Sequence, residues 1–223
     1  MQSCKEFFDP SGNDLPVRGY LHHAETAAPA DCLILTHGAG ANCQAPLLVA
    51  LADAFCAAGL NVLRCDLPFR QSRPHGPPPR GAAERDQQGL RAAVAAMRKL
   101  GAGKIYLGGH SYGGRQASIL AAREPALAEA LLLLSYPLHP PKQPAKLRTD
   151  HFPQLRTPAF FVHGVRDEFS TNDEMASALA LVPARTELLN IPSVGHELLP
   201  RTNREQLIQQ MTSRFLAFAD PSA

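Results

Sequence analysis

This 223-residue sequence lacks a charge surplus: 22 lysines and arginines face 20 aspartates and glutamates, for a net +2. It therefore has neither the basic field of a nucleic-acid-binding domain nor that of a protein adhering to anionic membranes. It also lacks any apolar run long enough to span a bilayer, and Met1 to Glu6 has no leader-like apolar region. The five cysteines, Cys4, Cys32, Cys43, Cys56 and Cys65, show no C-x-x-C or other metal-binding spacing, so neither metal nor cofactor is expected. Their number is odd, and Cys32, Cys56 and Cys65 fall on expected core elements. Buried free thiols in a reducing compartment follow, hence a cytoplasmic protein. With 45% hydrophobic and 19% charged residues, the composition suits one globular domain over residues 1–223.

What is present is organised around Ile105 to Gly114, IYLGGHSYGG. An apolar strand runs into G-x-S-x-G and then into a helix, Arg115 to Arg123. This is the pattern of a nucleophile elbow, in which a serine sits on a strained strand-to-helix turn. Small residues are needed where the backbones cross, and Gly109 and Gly113 supply them. The turn lifts the Ser111 hydroxyl above the sheet edge. It also puts the Tyr112 N–H at a helix start, where partial positive charge favours an oxyanion.

The flanking chain alternates strands and helices. Lys5–Phe8 and Val17–His22 predict an antiparallel edge pair joined by a turn at residues 9–14, and Cys32–Thr36 a buried strand. That strand ends in His37-Gly38-Ala39-Gly40, where an oxyanion loop belongs. Ala39 N–H is the expected donor and Gly40 N–H the alternative, with His37 bracing the loop. Pro46–Ala58 reads as a helix, Leu60–Leu67 as a strand, and residues 68–81 as a Pro-rich loop. Arg70, Arg73 and Arg80 in that loop are able to meet an anionic substrate, although solvated loop charges are the plainer expectation. Ala82–Leu100 reads as a helix with Leu100 on its buried face, and Leu127–Leu134 as a strand. A short segment, roughly residues 139–158, leaves no length for a substantial lid.

Ala159–Val162 is the next strand, and Asp167 lies just past it. Glu168 is the fallback acid, whereas Asp173 starts the following helix, Asp173–Leu181. Glu187–Ile191 is the last strand. It leads to Gly195, which allows a tight turn, and His196, before a closing helix, Asn203–Phe218. His22, His23, His75, His139 and His151 read as surface residues, while His110 and His163 flank the site. The order Ser111, Asp167, His196 is that of an α/β-hydrolase triad of nucleophile, acid and base. The fold class expected is α/β: a mostly parallel central sheet, helices on both faces and no substantial lid domain.

The chain resembles the small, nearly lidless α/β-hydrolases related to dienelactone hydrolase. More closely, it resembles the testis-expressed-type hydrolase-like family of bacteria and animals. The resemblance runs from about Leu33 to Phe218. It is carried by Leu35 to Gly40, Gly108 to Arg115, Tyr136 to Pro141, Lys146 to His151, His163 to Asp167 and Gly195-His196. Dienelactone hydrolase has a cysteine nucleophile where this chain has Ser111, and members of the closer family often carry arginine where this chain has His110. The resemblance implies the hydrolase fold and triad but no particular substrate. The residues point to a serine hydrolase acting on a small-molecule ester or thioester. A non-catalytic module of the same fold is the alternative, since relatives occur as subunits of assemblies.

Overall fold

The computed structural model describes residues 3–12, 15–26, 29–200 and 202–220. Eight strands form one sheet in the order β1-β2-β4-β3-β5-β6-β7-β8. They are β1 (Ser3–Asp9), β2 (Val17–His23), β3 (Cys32–Thr36), β4 (Asn61–Cys65), β5 (Ile105–His110), β6 (Ala130–Leu134), β7 (Ala159–Gly164) and β8 (Thr186–Ile191). The β1–β2 and β2–β4 pairings are antiparallel and all others parallel. The expected edge pair is thus present, although residues 13 and 14 of its turn lie outside the described residues.

Strands β3, β5, β6 and β7 are buried along their whole length. Such continuous apolar runs are what a parallel sheet covered on both faces requires. Helices α1 (Pro46–Ala57) and α6 (Arg204–Ala219) cover one face, where Leu48, Leu51, Phe55, Met211 and Phe215 pack. On the other face lie α3 (Ala82–Lys99), α4 (Tyr112–Arg123) and α5 (Asn172–Leu179), through Leu90, Met97, Ala117, Leu120 and Met175. The segment between β6 and β7 is no lid. Its side chains Tyr136, Leu138, Phe152 and Leu155 fold down into the core.

Several expectations need correction. Residues 68–72 form a short helix, α2 (Pro68–Ser72), rather than loop. Pro68 sets φ for its first turn, and Phe69 enters the core beside α3. Leu100 is 62% exposed, because α3 ends at Lys99 and Gly101, at φ 81°, turns the chain away. The stretch 125–127 is a 3-10 turn, so β6 begins only at Ala130.

His22, His139 and His151 are not surface residues. His22 is buried in β2 and its Nε2 accepts from Arg64 Nε at 2.9 Å. His139 is buried and its Nδ1 donates to the Pro140 carbonyl at 2.8 Å. His151 docks on α4, 2.8 Å from Ser118 Oγ. Burial, followed by the Arg115 charge, pushes the His151 imidazole down to about 4. Burial also lowers His22, His37, His110 and His163.

All five cysteines are free thiols; Cys4 is exposed and Cys32, Cys43, Cys56 and Cys65 are buried. Among the described residues, no helix is long and apolar enough to cross a membrane.

The lowered imidazoles of His22, His37, His110, His151 and His163 make stability depend on pH. Below an unfolded value of 6.5 the unfolded chain binds protons that the folded His151 refuses until about 4. Stability therefore falls as pH is lowered through that window, by at most about 1.4 kcal/mol per pH unit for each such histidine. Urea unfolding at pH 7, 6 and 5 should show this fall. His151→Gln should show a shallower slope, and an identical slope would refute the contribution of His151.

Candidate active site

The site is built at the carboxyl ends of β5, β7 and β8. Ser111 caps α4 at φ 50° and ψ −115°. Its N–H donates to the Leu134 carbonyl at 2.8 Å, tying it to the neighbouring strand, and its carbonyl accepts the Arg115 N–H at 3.0 Å. The crossing is tight. A Cβ on Gly113 would lie 2.6 Å from the His37 carbonyl oxygen, and one on Gly109 would lie 2.5 Å from that of Thr36.

The loops after β7 and β8 are joined by backbone hydrogen bonds. Val165 N–H donates to Ile191 at 3.1 Å and Arg166 N–H to Val194 at 2.9 Å. Their approach needs a glycine at 164, where a Cβ would stand 2.4 Å from the Gly195 carbonyl oxygen. Gly195 itself is less constrained than expected: its nearest such contact is 3.4 Å, and the positive φ angles of this region fall on Ser193 and Leu198.

The joined loops bring three separated residues into line. Ser111 Oγ lies 2.8 Å from His196 Nε2. His196 Nδ1 lies 2.8 Å from Asp167 Oδ2 and 3.0 Å from Oδ1. A carboxylate only accepts, so Nδ1 carries the proton and Nε2 is left to accept from the serine hydroxyl. Asp167 is buried and also accepts the Phe169 N–H at 2.9 Å. Glu168 is exposed. Asp173 lies in the first turn of α5, behind a Thr171–Glu174 capping box, and takes no part.

The candidate oxyanion donors also gather here. Gly38, Ala39, Gly40 and Ala41 line a cavity of about 400 Å³ with His110, Ser111, Phe169, His196 and Glu197. Tyr112 is the first residue of α4, so its N–H has no acceptor within the helix. The Tyr112 ring is anchored elsewhere, by its hydroxyl to Asp86 Oδ2 at 2.7 Å and edge-on to Phe69. Burial holds the Asp86 carboxyl above its usual range and pushes the Tyr112 phenol up.

Other neighbours fix this frame. His37 braces the loop: its Nδ1 donates to the Gly38 carbonyl at 2.9 Å and its Nε2 accepts the Leu67 N–H at 3.2 Å. His110 donates from Nε2 to the His196 carbonyl at 2.8 Å, pinning the backbone that carries the imidazole. His163 is buried and neither ring nitrogen has a hydrogen-bond partner among the described residues.

One contributor had no clear signal in the sequence, and another, Arg70, was expected as a solvated loop charge. Phe169 lies against the His196 ring, with centroids 4.2 Å apart. Its only sequence signal was its place two residues after an acid. Arg70 is 5% exposed, not a solvated loop charge, and donates to the Ala39 and Ala41 carbonyls at 2.8 and 2.7 Å. Arg73 and Arg80 are exposed, as expected.

A larger groove of about 750 Å³ lies between α1 and α6. It contains none of these groups, so chemistry rather than size locates the site.

The sheet order and the elbow together define an α/β-hydrolase fold. Residues 29–220 match the family model described as an alpha/beta hydrolase domain, and the chain belongs to that family. Among solved structures it is similar to Est1E from Butyrivibrio proteoclasticus with ferulic acid bound, at 19% identity over 94% of this chain and 98% of that one, TM-score 0.76. It is similar to dienelactone hydrolase from Anabaena variabilis, at 18% identity over 96% and 97%, TM-score 0.72. An alpha-beta serine hydrolase homologue from Coxiella burnetii gives 16% identity over 96% and 98%, TM-score 0.76. At such identities the likeness is one of fold.

The crossing at the elbow yields a stability prediction. Gly113→Ala should destabilise the protein by about 1–3 kcal/mol or more, as overpacking does. Chemical unfolding would measure it, and a loss below about 0.5 kcal/mol, typical of a surface change, would contradict the close approach described.

Proposed function

We propose that this protein is a serine hydrolase, a carboxylesterase acting on small acyl esters or thioesters, with Ser111 as nucleophile, His196 as base and Asp167 as acid. The observation that carries this reading is the 2.8 Å contact of Ser111 Oγ with an imidazole whose far nitrogen is held by a buried carboxylate. A serine hydroxyl is a poor nucleophile until a base takes its proton. His196 accepts that proton as Oγ bonds to the acyl carbon, and Asp167 stabilises the imidazolium. The tetrahedral oxyanion is held by the Tyr112 amide, at the positive end of α4, and by an amide of the loop after β3, that of Ala39 or its alternative, Gly40. Collapse breaks the bond to the leaving oxygen or sulfur, which takes the proton from His196. Water then repeats the sequence on the acyl-enzyme.

No step calls on a metal or cofactor. The motifs around Ser111, Tyr136 to Pro141 and His163 to Asp167 support, on this reading, a likeness to the testis-expressed-type hydrolase-like proteins. Buried free thiols favour a reducing, cytoplasmic setting.

Ser111→Ala should abolish ester hydrolysis and labelling by a fluorophosphonate while the fold persists by circular dichroism. Hydrolysis of p-nitrophenyl acetate by folded Ser111→Ala at the wild-type kcat/KM would remove the nucleophile assignment. A folded wild-type protein that neither labels nor hydrolyses would favour the non-catalytic module instead. Asp167→Asn should lower kcat by about 10⁴, as loss of a triad aspartate does, while Glu168→Gln stays near wild type. The opposite ranking would transfer the acid role to Glu168.

A further inference from the structure

The turn at residues 38–41 closes with an Ala41 N–H to Gly38 carbonyl bond of 3.1 Å, so Ala39 and Gly40 are its two central residues. The peptide joining them is the part of a β-turn able to rotate. Rotation exchanges type I for type II, which demands positive φ at the second central residue and so favours glycine there. Gly40 holds that place. Yet its φ is not positive, as it is at Gly59, Gly76, Gly81 and Gly101. Nor does packing require it, since a Cβ at Gly40 would meet nothing within 4 Å. The glycine leaves the rotated form accessible, and something else must select the form observed.

Arg70 is the selecting group. Its guanidinium donates to the Ala39 carbonyl at 2.8 Å and the Ala41 carbonyl at 2.7 Å. Its other bonds go to the carbonyls of Arg73 and Gly76, each at 2.9 Å. Among the described residues it bonds to these four carbonyls and to no carboxylate. In a trans peptide the C=O and the following N–H point in opposite directions. Arg70 is buried and does not line the cavity, so it draws the Ala39 oxygen off the cavity side. The Gly40 N–H is thereby turned to the other side.

We propose that Arg70 is a positioning residue for hydrolysis: it locks the 39–40 peptide with the Gly40 N–H, the alternative to the Ala39 donor, and not the Ala39 carbonyl oxygen, toward the oxyanion. This rests on the serine-hydrolase reading above. Without Arg70 the peptide rotates and sets the Ala39 oxygen against the developing negative charge. One donor is lost and one repelling acceptor gained. The guanidinium, unneutralised by any carboxylate bond, also adds a fixed favourable charge behind the loop.

The test compares wild type, Arg70→Gln, Arg70→Lys and Arg70→Gln/Gly40→Ala with p-nitrophenyl acetate, counting active sites by fluorophosphonate labelling. Arg70→Gln should lose about 10²-fold in kcat per labelled site, the scale of a lost oxyanion donor, with little change in KM. Arg70→Lys should fall between. Adding Gly40→Ala to Arg70→Gln should recover about tenfold, because alanine resists the positive φ that the rotated turn needs. A purely structural brace would instead lower Tm and the labelled fraction, leave kcat per labelled site intact and show no rescue by Gly40→Ala. That pattern, or wild-type kcat in Arg70→Gln, overturns the proposal while the hydrolase reading stands. If Arg70→Gln does not fold, Arg70→Lys with and without Gly40→Ala decides by the same criteria. A wild-type protein that neither labels nor hydrolyses overturns both.

Discussion

One strained backbone residue sets the geometry at the centre of this molecule. Ser111 sits at φ 50°, a region that costs a non-glycine residue on the order of 1–3 kcal/mol. It stays there because both of its peptide groups are committed, one to β6 and one to the first turn of α4. The crossing that permits this is crowded to the point of excluding a methyl group at Gly109 or Gly113. From that one crossing follow the direction of α4, the exposure of its first amide and the height of the hydroxyl. The remaining elements bring complementary groups to a point that the elbow has already defined.

Around that point the protein keeps its ionisable groups silent. Burial lowers His37 and His110 toward the neutral form. It raises the Asp86 carboxyl and the Tyr112 phenol. Each of these is spent on positioning: His37 on the loop, His110 on the His196 carbonyl, and Asp86 on Tyr112 and the Phe69 N–H. The imidazole that faces both the serine and the cavity is that of His196, whose side chain is 17% exposed.

Much of this was legible in the sequence because the signals were local. G-x-S-x-G between an apolar run and a helix defines a backbone shape with few alternatives, and β3 was bounded to the residue by its apolar run. The order Ser111, Asp167, His196 was readable because each follows a strand. The failures arose where tertiary contacts override local character. A Pro- and Arg-rich stretch looks like solvent-exposed loop, yet Phe69 pulls α2 into the core and carries Arg70 inward, where carbonyls satisfy its charge. His22 seemed to be at an edge, but α1 lies over β2 and buries it. Phe169 was invisible because stacking on a loop histidine leaves no periodicity to detect. Gly195 drew attention as a turn glycine, whereas the true steric demand falls on Gly164, through a loop contact that no local pattern encodes.

The burial of the thiols also decides which atoms of this protein electrophiles can find. Burial pushes Cys32 and Cys43 up to about 12 and raises Cys65 and Cys56. A thiol raised in this way stays protonated at neutral pH, and the thiolate is the reactive form. Four sulfurs, softer and intrinsically more nucleophilic than any alcohol, are therefore masked by the fold. Cys4 on the outer strand is the exposed exception. A thiol-directed dye should consequently mark the sheet edge, while on the proposed serine-hydrolase reading an acylating or phosphonylating reagent seeks the elbow. The two kinds of reagent would report on the edge and the centre of one sheet.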